Sequence, residues 1–357
     1  MPKDHALTHQ VRRNCLISDA RFAGLYSVCG LAMRLRDLYK WEHSLPPFEE
    51  HEASRVLAWI GEKEDQWEKL LKAEFSDLVI DGAPIDPFDT ETVNRLIEPQ
   101  GLFYAAGYAH RLKPSFVLAA IESRTTVNGH PVVILKKELA RDLLTLPALT
   151  QSNTVVIRNS AVALYVWDQM LYLTQSGRPF FHYALSACGI AEKEADSLRS
   201  CLPKVIKAQK DTFLYHEIGE LTDTSFDAEI WRDIIAALPH TPTELLVRTV
   251  KDILADTGPQ GTLNRIVESR HRAALGFYAA FLDGLGKKLF PEIRAAVTRF
   301  MADCNWPALA VMIEAVYHKA AAMAQAICTL FVEGIRDRDH RWVNEELNRL
   351  YIAPLTS

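Results

Sequence analysis

None of the six cysteines, Cys15, Cys29, Cys188, Cys201, Cys304 and Cys328, has a partner at C-x-x-C spacing. That excludes zinc-ribbon and thioredoxin-type sites. Cysteines scattered along a long chain read instead as buried thiols of a cytosolic protein. Residues 1–13 carry charges without an apolar run, so no secretory leader is expected. A basic excess is lacking too: 40 Lys and Arg against 45 Asp and Glu leave a net charge of −5. Lys204, Lys207 and Lys210 form a small basic cluster, but acidic residues surround it. No nucleic-acid partner is expected from that balance.

The familiar catalytic signatures are missing as well. Gly284-Leu285-Gly286-Lys287-Lys288 has neither the spacing of a P-loop nor the hydroxyl residue after its lysine. There is no G-x-S-x-G elbow and no G-x-G-x-x-G between a strand and a helix. His216-Glu217 opens like H-E-x-x-H, but residue 220 is glutamate. No repeat or low-complexity tract interrupts the chain. The most lipid-like stretch, residues 308–332, contains Glu314, His318, Lys319 and Gln325. Those groups argue for a buried helix of a soluble protein rather than a membrane span.

What is present is ample apolar material: 48 % of 357 residues, with 24 % charged. That supports a large core in more than one domain. The fold class expected is mainly α, a helical bundle with a small β-containing insert in the middle of the chain. A helix is expected over residues 18–42, capped by Ser18 or Asp19, and a second from about 49 to 75. Ala20, Ala23, Gly24, Ser27 and Gly30 make a small-residue stripe suited to close helix packing. Apolar runs near 102–108, 115–126, 131–135 and 155–157 read as strands, with Asn128-Gly129 as a type I′ hairpin turn. Thr241-Pro242-Thr243-Glu244 is a capping box with proline at the first helical position. The division expected is a helical region over 14–99 packing on the bundle, the β-containing insert over 100–158, and the bundle over 159–357.

Candidate chemistry lies on three helices. On the helix from 203 to 221, a period of about 100° per residue groups Ile206, Phe213, Leu214 and Leu221 on one face. Glu217 falls among them, Glu220 at the edge, and His216 beside Glu220. A carboxylate turned to a core must be paired, protonated or metal-bound. Lys210 offers one pairing charge, and Glu217 is the candidate general base. On the helix starting near 262, Glu268 and His271 have the i, i+3 spacing that offers two metal ligands to a bundle core. On the long helix, Glu314, His318 and Gln325 share a narrow polar stripe, which meets either solvent or an internal polar site. Arg36 and Lys40, one turn apart, can clamp an anion or serve salt bridges.

The ligand set His216, Glu217, Glu220, Glu268, His271, Glu314 and His318 suits iron, manganese or zinc. In outline, residues 203–329 resemble the ferritin-like and haem-oxygenase-like di-metal carboxylate proteins. The chain departs from the ferritin pattern of two Glu-x-x-His motifs, because only Glu268–His271 matches. The run from Cys29-Gly30-Leu31 to Trp41-Glu42, with His216-Glu217-Ile218-Gly219-Glu220, resembles a family of uncharacterised bacterial proteins. That resemblance implies a bacterial cytosolic protein and adds no mechanism. The function expected is a metal-binding oxidase or hydrolase acting on a small molecule. The alternative is a non-enzymatic helical binding or scaffold protein. A homodimer is compatible with either, and no membrane partner is expected.

Overall fold

The computed structural model describes residues 3–190, 198–282 and 284–355. The chain forms two compact units, residues 1–167 and 168–357. It is mainly α-helical with a central five-stranded sheet.

The first unit contains α1 (Lys3–Phe22), α2 (Val28–Glu42), α3 (Ala53–Leu70) and α4 (Thr90–Ile97). A two-stranded ribbon, β1 (Leu78–Ile80) and β2 (Ala83–Ile85), turns at Asp81-Gly82, both at positive φ. The main sheet has the order β3-β4-β5-β7-β6. Its strands are β3 (Leu102–Tyr108), β4 (Pro114–Val127), β5 (His130–Arg141), β6 (Ala148–Gln151) and β7 (Thr154–Arg158). Only β5 and β7 pair in parallel. Asn128 and Gly129, at φ 49° and 84°, make the expected hairpin turn.

The expected helix over 18–42 is two helices. The chain breaks at residues 23–27, and Ser27 caps α2 by accepting from the Gly30 N–H. Ser18 and Asp19 lie inside α1 instead. Its polar face substitutes for missing backbone partners: Asn14 exchanges two hydrogen bonds with Ser76, and Asp19 accepts from the Leu143 N–H. The regions 14–99 and 100–158 therefore lie in one unit, with α1 packed on β4 and β5.

That unit buries a chain of charges. Lys113 Nζ lies 3.2 Å from Asp19 and 3.5 Å from Asp142. Arg158 and Arg141 both face Glu138, at 2.7 and 3.6 Å, and Arg141 donates to Thr145, which donates to Asp37. Burial pushes Asp19 up to about 7, against the pull of Lys113. Against the same penalty, Lys113 and the N–H groups of Leu144 and Phe116 hold Asp142 below its ordinary value. Lys40 is also buried and pairs with Glu50 and the Pro47 carbonyl, so it is spent as a structural cation rather than an anion clamp.

Helix α5 (Asn159–Leu171) runs across the boundary into the second unit, which contains α6 (Arg178–Ala187), α7 (Leu198–Thr222), α8 (Ala228–Ala237) and α9 (Pro242–Thr257). It continues with α10 (Thr262–Ser269), α11 (Arg272–Phe281), α12 (Gly284–Leu289), α13 (Pro291–Asp303), α14 (Trp306–Asp337) and α15 (His340–Leu347). The capping box forms as expected: Thr241 accepts from the Glu244 N–H, while Glu244 reaches back to the His240 N–H. Helix α14 is long and apolar enough to cross a bilayer by length and composition alone. Only 33 % of its apolar window is buried, less than a central core helix requires.

Candidate functional site

Helices α7 and α9 meet backbone to backbone. A Cβ at Gly219 would run into the carbonyl oxygen of Ala255, so glycine is what permits the approach. Each helix contributes an i, i+4 pair at this crossing: His216 and Glu220 from α7, Asp252 and Asp256 from α9. One ligand atom from each of His216, Glu220 and Asp252 lies within 4.8 Å of the others. His216 and Glu220 are half-buried and Asp252 is exposed, so the group opens to solvent.

Asp256 orients the histidine. Its Oδ1 lies 3.0 Å from His216 Nδ1, and its Oδ2 accepts from the Tyr278 hydroxyl of α11 at 2.7 Å. With Nδ1 donating to Asp256, Nε2 is the nitrogen left for another partner. Lys251 stands 3.8 Å from Glu220 and lies over the Trp231 ring of α8 at 4.3 Å.

The electrostatics follow from this crowding of carboxylates. Burial works against charge on His216, but Asp256 above all, with Glu220 and Asp252, holds its pKa well above 6.5. Desolvation by surrounding protein atoms, with Glu220 and Asp256 adding to it against the pull of His216, pushes Asp252 up to about 6. Burial and the neighbouring Asp256 raise Tyr278 far above its usual range. The imidazole thus carries a proton when the group stands alone, and a metal ion would have to displace it.

Of the seven residues singled out in the sequence, the structure brings together His216 and Glu220. Glu217 is buried, as its place on the apolar face requires, but it is not part of this group. Lys210 is exposed and does not face the core. Glu268 and His271 do not share a helix: Arg270 adopts a left-handed conformation that separates α10 from α11. Glu268 is exposed beside Arg265, and His271 caps α11 by accepting from the Ala274 N–H. The i, i+3 ligand geometry needs a continuous helix, so this motif does not form. Glu314 and His318, 3.9 Å apart, are both more than 70 % exposed, and their stripe meets solvent. Among the described residues of 203–329, no three-helix ligand set converges. Asp252, Asp256 and Tyr278 were missed. Asp252-x-x-x-Asp256 is a visible i, i+4 carboxylate pair, but only the Gly219 crossing tells which helix it faces.

No curated protein and no solved structure matches the chain. Two family models do: residues 6–158 match the N-terminal domain, and residues 163–349 the C-terminal domain, of a family of unknown function, DUF6866. The chain belongs to that family.

Proposed function

We propose that the helical C-terminal unit binds one divalent transition-metal ion through His216, Glu220 and Asp252. The observation that carries this reading is the Tyr278–Asp256–His216 relay, which fixes the ring and frees one nitrogen beside two carboxylates. Metal-binding histidines almost always give their other ring N–H to such a partner. One imidazole and two carboxylates suit iron, manganese or zinc. Three protein ligands leave coordination positions open to water or substrate, as in catalytic metal sites. Zinc or manganese there would lower the pKa of bound water and support hydrolysis; iron would support oxidation of a small substrate. Six cysteines present as thiols favour a reducing, cytoplasmic compartment.

Elemental analysis of the full chain, purified without added metal and again after reconstitution with iron, manganese or zinc, tests the proposal. The expected value is about one ion per chain, lost in His216→Ala and Asp252→Asn. Less than about 0.1 ion per chain under every condition overturns it. The group then reads as an ion network holding α7 to α9.

A further inference from the structure

Resting on the metal reading above, we propose that the same site takes a small oxyanion, with Lys251 holding one of its oxygens beside the metal. Lys251, on α9 with Asp252, brings its ammonium to within 3.8 Å of Glu220, at the rim of the ligand group. At 3.8 Å its contact with Glu220 is too long for a hydrogen bond and is an ion pair only. The Trp231 face, 4.3 Å away, steadies the cation without using its donors. The side chain remains 28 % exposed, within reach of a ligand from solvent.

Arg248 shows the contrast. It lies over the same ring at 5.5 Å, but its guanidinium is bound to the buried Glu244 at 2.9 Å. Arg248 is therefore committed to the fold, whereas Lys251 keeps donors to spare. Asp256 is engaged elsewhere, with one oxygen on His216 and the other accepting from Tyr278.

Metal binding sharpens the role. Glu220 and Asp252 would together neutralise a divalent ion, and a metal-bound carboxylate attracts a neighbouring ammonium less strongly. The site then presents an open metal position and a loosely held ammonium side by side. A ligand that satisfies both places one oxygen on each, as phosphates and carboxylates do.

Titration of the manganese-loaded full chain with inorganic phosphate and with acetate, followed by calorimetry and tryptophan fluorescence, tests the inference. Saturable binding of either anion is expected, absent without metal. Lys251→Met should keep manganese at wild-type occupancy and weaken the anion about tenfold or more, and Lys251→Arg should restore most of it. Preference for acetate over phosphate, with the same dependence on residue 251, supports the inference and assigns a carboxylate. If the manganese-loaded protein binds neither anion, or Lys251→Met binds as wild type does, the inference is overturned and the metal reading stands. If the wild type takes up no metal, both fall.

Discussion

The two units each gather charged side chains, and they do so under opposite rules. In the first, Lys113, Asp19, Asp142, Arg141, Arg158, Glu138 and Asp37 are each at most 4 % exposed, and every charge has a counter-charge or hydrogen-bond partner. In the second, His216, Glu220, Asp252 and Asp256 form an acidic group at a half-open helix crossing, with one ring nitrogen left over. Burial with charge balance marks a structural network. Incomplete burial with a surplus of one sign is the feature on which the proposed metal reading rests. The difference explains why Glu217, singled out for its place on the apolar face, is a weaker candidate than the half-buried Glu220, 3.8 Å from Lys251.

The largest expected effect lies in the first unit. Lys113→Met leaves Asp19 and Asp142 facing each other without their cation, and stability should fall by about 3–5 kcal/mol, read by urea unfolding of the full chain. A loss below about 1 kcal/mol would mean that the network is not held by charge pairing. Next is Asp256→Asn, which keeps the three proposed ligands but weakens the acceptor that orients His216. Metal affinity should drop roughly 10–100-fold with little change in melting temperature. Unchanged affinity would remove Asp256 from the site.

The pH dependences should separate the units. Asp19, at about 7 in the fold against 3.8 when unfolded, binds more protons in the native state. Stability from this group is therefore greatest at low pH and declines as pH rises from about 4 to 7. Asp19→Asn should flatten that decline. His216 acts in the same direction but in a higher window: its raised pKa stabilises the metal-free fold fully below about 6.5, and that gain is lost as pH rises through the folded value. Metal affinity should strengthen over the same rise, with proton release on binding detectable by calorimetry in buffers of different ionisation enthalpy. The smallest effect is expected for Glu314→Ala and His318→Ala, each within about 0.5 kcal/mol in stability and without change in metal content.

Local chemistry was legible in the sequence wherever a few adjacent residues decide the outcome. Asn128-Gly129 turns the hairpin, and Thr241 and Glu244 close the capping box. Residues 102–108 form β3 as read. The short ribbon β1–β2 was hidden because Pro84 reads as loop, and α1 was hidden because Asn14, Ser18 and Asp19 interrupt its buried apolar face. The break at Arg270 was invisible for a related reason: a left-handed arginine carries no glycine signal. Two of the three proposed ligands were legible, since His216 and Glu220 share a helix face. Asp252 and Tyr278 enter only through contacts between helices distant in sequence, and no helical period reports those.

The glycine crossing has a mechanical consequence. Where Gly219 meets Ala255, main chain rests on main chain, and a Cβ at Gly261 would run into the same carbonyl oxygen. Side chains can change rotamer and cores can repack, but two abutting backbones form a hard stop. The spacing between the His216 and Asp252 helices is gauged by that stop and insulated from the packing around it. Core substitutions elsewhere in the unit should therefore weaken the fold while leaving the ligand spacing in register, whereas a single methyl group at residue 219 detunes the spacing directly.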